Sequence, residues 1–361
     1  MSGQEIRRIY RTAREEDLPT SLKLILGDKM FEYSKVQWKV EGRVRGLRYG
    51  TNPHQKGALY RPKSSKGGIG NVDWVKWGKD GPSATNIQDG SHGIRITGYF
   101  KEPAVAVMKH LNPSGVAVSR GHDSLSEVYA RARDSDDRAA FGSVVVFNSS
   151  VDRKTAEEIM KTFVEVVYAP GYGSEALAVL KSKRDIRVGE VSPQSREDVT
   201  MLPDVVVLDD GSLIIEDQYR TSILSLDDMK RLPVPTKKKP SDQEYVDLLH
   251  AWWVACEVRS NAMVFWKDGT SLSIGTGQQD RIGAIENSID KAHKIGRSLE
   301  GSVLASDGFL PKLDNVEALA KEKVSTIVQP GGSVEDQAIV KACDEYGIRM
   351  VLTGERSFRH F

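Results

Sequence analysis

The segment FVEVVYAPGY, residues 163–172, carries the pattern from which the fold of this chain is predicted. Its apolar run Val164–Ala169 predicts a strand, and Pro170-Gly171 ends that strand in a turn. Upstream, Asp152 precedes apolar residues at the spacing of an amphipathic helix, at positions 156, 159, 160 and 163. Downstream, the pattern predicts a helix around residues 176–180 and a strand at 186–188.

The same succession of elements returns about 160 residues later in the chain. Asp314 precedes a helical apolar series at positions 316, 319 and 320, and a strand follows at 324–328. Pro330-Gly331-Gly332 then leads to a helix at 334–343 and a strand at 348–352. The period is too long for a solenoid, whose repeats span roughly 20–50 residues. Two explanations remain: a duplicated α/β half, which we favour, or a coincidence between two β-α-β-α-β runs.

Strands that alternate with helices in this way predict an α/β fold with mixed, largely parallel sheets flanked by helices. The segment LPVPTKKKP, residues 232–240, has the prolines and charges of a solvated linker. Directly after it, Ser241 and Glu244 have the spacing of a capping box that opens a helix. We therefore predict an N-terminal extension at 1–45, a first α/β half at 46–231, the linker at 232–240 and a second half at 241–361.

The composition is that of a nearly neutral globular protein. The chain has 361 residues, with 51 Lys and Arg against 50 Asp and Glu, a formal net charge of +1. Binding to nucleic acid phosphates needs many uncompensated cations, so this balance argues against that class. The N-terminus lacks a signal-peptide core and no run approaches ~18 apolar residues, so we predict neither export nor a membrane span. Cys256 and Cys343 form no CxxC pair, and we expect buried, reduced thiols in a cytoplasmic protein.

Ligands of parallel α/β sheets gather at the carboxyl ends of the strands, where loops lead into helices. In this sequence the rule selects four segments, at residues 109–115, 170–171, 275–281 and 330–333. In the last of these, Ser333 with Asp336 three residues beyond is explained by the capping of a helix.

Lys109 and His110 directly follow the predicted strand Ala104–Met108. Neighbouring side chains of a strand point to opposite faces, so these two can act on one ligand only if the chain leaves β geometry there. The run Asn112-Pro-Ser-Gly115 favours such a turn. A cation beside an imidazole suits proton transfer next to a developing oxyanion. The alternative is an ordinary turn with an exposed lysine and a hydrogen-bonded histidine.

Two further loops suit an anion. In RYGTNPHQ, residues 48–55, Arg48 can bind a phosphate and Tyr49 can stack on a heterocycle, although polar loops without a ligand have the same composition. The run GTGQQDR, residues 275–281, lacks the third glycine of a dinucleotide fingerprint, and the sequence has no P-loop motif. What remains there is a helix start with glycine amides and Arg281 nearby. The seven histidines show no metal-ligand spacing, so we predict no metal.

Taken together, these segments resemble one family, the aminoimidazole-carboxamide ribonucleotide (AICAR) formyltransferases of purine biosynthesis. The resemblance rests on runs that occur in order over nearly the whole chain from residue 45 onward. They are residues 47–55, 109–117, 140–142, 169–172, 260–261, 275–281, 305–307, 329–334 and 353–360. This collinear order is more specific than any single motif.

The resemblance implies a duplicated, cytidine-deaminase-like three-layer α/β unit, in agreement with the repeat. It also implies transfer of a formyl group from 10-formyltetrahydrofolate to the 5-amino group of AICAR, giving FAICAR, at sites shared between the subunits of a homodimer. Family members commonly carry an N-terminal IMP cyclohydrolase domain. Residues 1–45 are too short for that domain, so we expect a stand-alone formyltransferase with a separate IMP cyclohydrolase as a partner.

By the same resemblance, His110 is the proton-transfer residue, Lys109 orients and stabilises charge, and Asn261 helps to hold the reacting centre. The other residues that resemble the family's substrate contacts are Arg48, Tyr49, Asn86, Gly171, Arg281, Phe309, Asp314 and Arg356.

The chain departs from the family at Cys256, where members usually carry lysine, and at GFLPK, residues 308–312, in place of an aromatic-rich run. Because the folate pocket is expected near these elements, formate with ATP is the alternative formyl donor. A cytidine-deaminase-type hydrolase is disfavoured, since the sequence has no His and Cys set for zinc. The remaining alternative is a non-enzymatic nucleotide- or RNA-binding module, which Lys237–Lys239 favours and the neutral charge opposes.

Overall fold

The computed structural model describes residue 4, residues 8–192 and residues 203–360. The N-terminal part consists of short strands, namely β1 (Ser21–Leu26), β2 (Lys29–Lys35), β3 (Trp38–Val40), β4 (Arg43–Arg45), β5 (Tyr60–Pro62) and β6 (Asp73–Lys76). A turn of 3-10 helix at Ile69–Asn71 precedes β6. Strands β1, β2 and β5 form a small antiparallel sheet, and β3 pairs with β4.

The next elements alternate between helix and strand. They are α1 (Ala84–Thr97), β7 (Ala104–Lys109), β8 (Asn112–Val118), α2 (Leu125–Asp134), α3 (Asp137–Ala140), β9 (Ser143–Phe147), α4 (Arg153–Met160), β10 (Val164–Ala169), α5 (Ser174–Ser182) and β11 (Arg187–Glu190). The strand predicted from the apolar run coincides with β10. Asp152 caps α4 by accepting the Thr155 N–H at 2.8 Å, which confirms the predicted helix start.

The remaining elements repeat that alternation after a hairpin. They are β12 (Asp204–Val207), β13 (Leu213–Glu216), α6 (Leu226–Arg231), α7 (Asp242–Ala255), β14 (Met263–Lys267), β15 (Thr270–Gly275), α8 (Arg281–Lys294), β16 (Val303–Ser306), α9 (Leu313–Lys321), β17 (Thr326–Gln329), α10 (Asp336–Tyr346) and β18 (Arg349–Leu352). Ser241 and Glu244 form the predicted capping box of α7.

The predicted cap at Ser333 is wrong. The N-cap of α10 is Glu335, and the Ser333 hydroxyl accepts the Glu335 N–H at 3.1 Å instead of capping the helix. The Asp336 carboxylate turns back to accept the Gly332 N–H at 2.7 Å. The serine and aspartate therefore brace the glycine loop that precedes the helix.

Eleven strands form one sheet in the order β18-β17-β16-β14-β15-β8-β7-β9-β10-β11-β6. In each half, an antiparallel hairpin (β7–β8 or β14–β15) has a third strand antiparallel to its first member, and two further strands continue in parallel. The same succession of pairings on both sides confirms the duplicated α/β architecture. Parallel pairing is confined to β9–β10–β11 and β16–β17–β18, and β6 adds an antiparallel strand beyond β11. The two central hairpins are antiparallel because a short turn can join only antiparallel neighbours.

Helices cover both faces of this sheet, so each half has three layers. On one face, α1 and α7 pack over a core that crosses both halves, from Met108 and Val146 to Trp252 and Trp266. On the other face, α2, α4 and α5 cover the first half and α8, α9 and α10 cover the second, over two separate cores. Cys256 and Cys343 are buried and free in these layers, as expected. The continuous core holds the two halves together along one face.

The two halves join edge to edge between β8 and β15, where Thr270 pairs with Ala117 in antiparallel register. Two buried serine side chains complete this short ladder. The Ser271 hydroxyl accepts the Val116 N–H at 2.9 Å, and the Ser135 hydroxyl donates to the Ser271 carbonyl at 2.6 Å. Because buried backbone groups need hydrogen-bond partners, these hydroxyls stabilise the junction where backbone pairing is sparse.

The linker at 232–240 runs beside the edge strand β18. The Pro233 carbonyl accepts the Leu352 N–H at 2.9 Å, and the Thr236 hydroxyl accepts the Met350 N–H at 3.0 Å. Lys237, Lys238 and Lys239 are exposed. Within the described ranges, no helix has the length and apolar character needed to cross a membrane.

Gly115 in β8 lies against the end of α2, and its replacement tests the packing at the junction. A Cβ there would stand 2.0 Å from the Ala132 carbonyl oxygen and 2.6 Å from the Ser135 Cβ. We expect Gly115→Ala to lower the free energy of unfolding by roughly 1–3 kcal/mol, since the helix and strand must separate. Gly46→Ala is the matched control, because no atom lies within 4 Å of a Cβ at that position. Urea denaturation measures both variants, and equal stabilities would contradict this packing.

Candidate active site

The hairpin β7–β8 carries Lys109 and His110 at its tip. Lys109 pairs with Asn112, and the two residues between them, His110 (φ 53°) and Leu111 (φ 66°), have left-handed backbone. The chain therefore leaves β geometry at His110, as joint action with Lys109 requires. The run Asn112–Gly115, expected to form the turn, is instead the start of β8. The reason is that a two-residue left-handed turn matches the twist of the flanking strands.

Polar groups hold this turn from two sides. The Asp89 carboxylate on α1 accepts the Leu111 N–H at 2.7 Å, and the Asn112 side chain donates to the His110 carbonyl at 3.1 Å. The Lys109 ammonium donates to the Phe141 carbonyl. The backbone around His110 is thus fixed, while its imidazole is exposed.

Asn261 lies beside a cavity of about 550 Å³ in the second half. Residues 259–261 and 277–279, together with Phe358 and His360, line this cavity. The Asn261 side chain donates to the Gln278 carbonyl at 2.8 Å, and the Ser260–Asn261 peptide is cis. The loop from α7 to β14 and the loop from β15 to α8 therefore meet at one polar cavity.

Asn112 connects the His110 turn to this cavity. Its side-chain oxygen accepts the Arg259 N–H at 2.9 Å and lies 3.0 Å from the Thr276 hydroxyl. Arg259 lines the cavity, and Thr276 directly precedes the wall residue Gly277. His110 and Asn261, which come from motifs far apart in the sequence, thus lie on neighbouring segments that are hydrogen-bonded to each other.

Arg281 and Arg356 flank the Phe358 ring at the cavity. Arg281 begins α8, is buried, and donates to the Asp307 carboxylate at 2.8 Å and to the Ser306 hydroxyl at 2.9 Å. Its central guanidinium carbon is 5.7 Å from the centroid of the Phe358 ring, and that of Arg356 is 4.4 Å away. Arg281 is therefore committed to a buried ion pair, whereas Arg356 is exposed beside the same ring.

Phe309 and Asp314 lie on the segment that follows β16. Phe309 is 38% exposed and comes directly after Gly308, whose backbone approaches the Arg281 guanidinium. Asp314 is exposed in the first turn of α9 and accepts a hydrogen bond from the Asn315 side chain at 2.6 Å. Both residues therefore belong to the strand-end region that also holds Arg281.

A second polar cluster lies near the amino end of α1. Arg48 is only 2% exposed, and its guanidinium donates to the Tyr49 hydroxyl at 2.9 Å and to the Lys79 carbonyl at 2.8 Å. Buried Arg187 donates to the same carbonyl at 2.8 Å. Burial and the nearby Arg48 charge lower the pKa of Arg187 to about 10. Two guanidinium groups therefore share the Lys79 carbonyl, which makes this cluster basic, and the Arg48 side chain is buried within it.

Asn86 and Asp89 are neighbours on one face of α1, three residues apart. The Asn86 side chain donates to the Glu165 carboxylate at 3.1 Å. Burial raises the pKa of the Asp89 carboxyl to about 6, against the Leu111 N–H and the nearby His110, which favour its charged form. Since Asp89 also holds the Leu111 N–H, α1 links this cluster to the His110 turn.

Gly171 and His110 lie at opposite ends of the strands of the sheet. Strand β7 is antiparallel to β9, with Met108 paired to Val144, so the hairpin tip adjoins the amino ends of β9 and β10. Gly171 follows the carboxyl end of β10, a strand of 6 residues, which is ~20 Å long. Within one chain the structure therefore groups His110 with Glu165, at the start of β10, and not with Gly171.

A family model described as the AICARFT/IMPCHase bienzyme matches residues 12–291. The chain belongs to this family. Its curated relatives include the bifunctional purine biosynthesis protein PurH of Bacillus cereus strain AH820, 39% identical over 319 residues, and that of Caldicellulosiruptor saccharolyticus, 40% identical over 342 residues. The alignments cover 88% and 94% of this chain and 60% and 63% of the relatives. The chain thus spans about 60% of the length of these relatives.

In this AICARFT/IMPCHase family member, four residues at the site were not among the site residues predicted from the sequence: Asp89, Asn112, Glu165 and Arg187. For two of them the sequence contains a signal. Glu165 is the single charge of the apolar strand β10, and Arg187 is a buried charge at the start of β11, and a charge that enters a buried strand requires a partner. Asp89 and Asn112 have no such signal, because one is a polar helix position among several and the other resembles a turn residue.

The described side chains include no group of three or more His, Cys, Asp or Glu residues that could hold a metal ion. The groups that the structure brings together are an imidazole, two amides, an ammonium and guanidinium ions. Such groups can move a proton and stabilise an oxyanion, and they can bind anionic ligands.

The raised pKa of Asp89 predicts a pH-dependent stability. The folded chain holds this proton more tightly than the unfolded chain, so the stabilisation is complete below pH ~4 and is lost as the pH rises through about 6. Asp89→Asn is neutral throughout, so its stability relative to wild type should increase by about 3 kcal/mol between pH 4 and 7. Chemical denaturation at both pH values measures this change. The control is Asp290→Asn, which removes the carboxylate of an exposed aspartate on α8. A stability difference between Asp89→Asn and wild type that does not change with pH would contradict the raised pKa of Asp89.

Proposed function

We propose that this family member transfers a formyl group from 10-formyltetrahydrofolate to the 5-amino group of AICAR. One observation carries the proposal. The hairpin tip with the exposed His110 imidazole is hydrogen-bonded, through Asn112, to the loop that holds Asn261 beside a polar cavity. The family match and the purine-biosynthesis names of the relatives support the substrate class.

The amino group of AICAR is a weak nucleophile, because its lone pair is delocalised into the imidazole ring and its carboxamide. In the proposed reaction its nitrogen bonds to the formyl carbon, the bond from that carbon to folate N10 breaks, and one proton passes from the amine to N10. His110 is the group that accepts this proton and returns it to the leaving nitrogen. A positioned base of this kind contributes roughly 10²–10⁴-fold to the rate.

The formyl oxygen gains negative charge as the amine attacks. Lys109, next to the base, and the Asn261 amide are the proposed donors to this oxyanion. In the structure both groups donate to backbone carbonyls, those of Phe141 and Gln278. Each group has a further N–H, since an ammonium has three and an amide nitrogen two, so these carbonyls hold the donors in place while leaving an N–H for the substrate oxygen.

Both proposed substrates are anionic, AICAR through its phosphate and the folate through its glutamate carboxylates. With a formal net charge of +1, the protein must attract them locally. Exposed Arg356 and the apolar Phe309 are suited to contact them directly. The other proposed substrate contacts are Arg48, Tyr49, Asn86, Arg281 and Asp314, and Gly171 stays a prediction without a neighbouring site group in the same chain.

We also propose that the functional unit is a homodimer with shared sites. The hairpin β12–β13 supports an association, since Val207, Leu213 and Ile215 are 68%, 56% and 49% exposed. An isolated two-stranded hairpin is marginally stable in water, so a cover for these side chains is expected. Sedimentation velocity at micromolar concentration tests the proposal, and a monomer that retains full activity would contradict a shared site.

Replacement of His110 tests the mechanism. We expect His110→Ala to lower kcat for AICAR formylation by roughly two to four orders of magnitude, since the general base is lost, with little change in AICAR binding. His122→Ala is the matched control, because His122 is an exposed histidine on the loop at the other end of β8. Steady-state kinetics and calorimetric AICAR titration measure the two effects. Near-wild-type turnover of His110→Ala would rule out its role as the base.

The assay also separates the alternative functions. Purified wild-type protein is incubated with AICAR and 10-formyltetrahydrofolate, and separately with AICAR, formate and ATP, and the formylated product is followed by chromatography. Product in the first mixture supports the proposal, and product in the second mixture alone would transfer the donor assignment to formate. No product in either mixture would contradict the enzymatic proposal and leave a nucleotide-binding module.

A further inference from the structure

We infer that Asn112 is a positioning residue that sets the separation between the His110 imidazole and the loop carrying Asn261. The inference rests on the proposed function. Its basis is that the Asn112 amide connects three segments at once: it donates to the His110 carbonyl at 3.1 Å, accepts the Arg259 N–H at 2.9 Å, and lies 3.0 Å from the Thr276 hydroxyl.

The place of Asn112 in the junction explains why a side chain is needed. Backbone pairing between β8 and β15 is seen at Ala117 and Thr270, and continuing this register would place Asn112 opposite Gly275. At that end of the junction, β8 leads back into the His110 turn and β15 continues into the Thr276 loop. The Asn112 side chain takes over the connection there, as the Ser271 hydroxyl does beside Val116.

Loss of this connection should act on the reacting groups. Without the amide, the His110 carbonyl and the Arg259 N–H lose a shared partner, so the hairpin tip and the cavity loop can move independently. A misplacement of ~1 Å at a reacting centre can cost about 10²-fold in rate. We expect Asn112→Ala to lower kcat about 10–100-fold, with much smaller changes in KM for AICAR and the formyl donor.

Asn148 provides a matched control at the other end of β7. Its side chain also connects segments, accepting the Ala104 N–H at 2.7 Å and donating to the Phe100 and Glu102 carbonyls at 3.1 and 2.9 Å. Like Asn112 it is half-buried. Asn148→Ala should lower the Tm while leaving kcat within about twofold of wild type, since it is remote from the turn. Equal kcat losses in the two variants would overturn the inference.

A double-mutant cycle separates positioning from a general structural role. If Asn112 acts through His110, then the His110→Ala, Asn112→Ala double variant should retain about the rate of His110→Ala alone, measured in single turnovers. Multiplicative losses would overturn the inference. Should Asn112→Ala fail to fold, Thr276→Val removes the hydroxyl that lies 3.0 Å from the Asn112 side-chain oxygen. The double variant of Thr276→Val with His110→Ala should then also retain about the single-turnover rate of His110→Ala.

Imidazole resonances give a readout that does not depend on turnover. In protein labelled with ¹⁵N-histidine, assigned by the His110→Ala spectrum, Asn112→Ala should shift or broaden the His110 ring signals, and Asn148→Ala should leave them in place. Unchanged His110 signals in Asn112→Ala would overturn the inference. If the wild-type protein does not transfer a formyl group, the proposed function is contradicted. If the wild-type protein is active and Asn112→Ala has the kcat of Asn148→Ala, only the positioning role is contradicted.

Discussion

The antiparallel contact between β8 and β15 is the constraint on which the rest of the structure depends. Because these strands run in opposite directions, the tip of each hairpin comes next to the open end of the other. The His110–Leu111 turn lies beside the Thr276 loop, and the turn at Asp268 (φ 50°) and Gly269 (φ 74°) lies beside Val118, whose N–H donates to the Gly269 carbonyl at 2.8 Å. The duplication thus creates two equivalent places, and the first of them combines the His110 imidazole with the cavity beside Asn261 and the glycine-rich start of α8.

The same contact decides which strand ends meet at the site. In the second half, Arg281 and Asp307 follow the carboxyl ends of β15 and β16, where the usual rule for α/β sheets places ligands. Asn261 precedes β14 and adjoins the same carboxyl end of β16, because β14 is antiparallel to β16. In the first half, the hairpin tip adjoins the amino ends of the parallel strands, where Glu165 and Arg187 lie. One site therefore combines opposite strand ends of two related halves, and the residues that bridge them must be side chains, because the backbone ladder ends before the site.

Local patterns predicted several individual elements correctly, although not the cap of α10. The apolar run Val164–Ala169 is β10, and the Ser241 capping box begins α7. A departure from β geometry after Ala104–Met108 was expected as well, but from turn residues at Asn112–Gly115, whereas His110 and Leu111 form the turn. Three features could not be predicted in this way: Gly171 lies at the strand ends opposite to His110, Asn112 belongs to a strand, and Arg48 is buried. They depend on strand direction and on pairing between distant residues, which periodicity does not report.

Burial divides the cations of the site into two groups with different roles. Arg48, Arg187 and Arg281 are buried, and each is held by a carbonyl or carboxylate that compensates its desolvation. Hydrogen bonds and ion pairs therefore fix the positions of these three guanidinium groups within the protein. Arg356 is exposed and Lys109 is half-buried, so both can adjust to an anion. Because the formal net charge is +1 and the Debye length in physiological salt is about 8 Å, these cations can attract an anion only over a distance of that order.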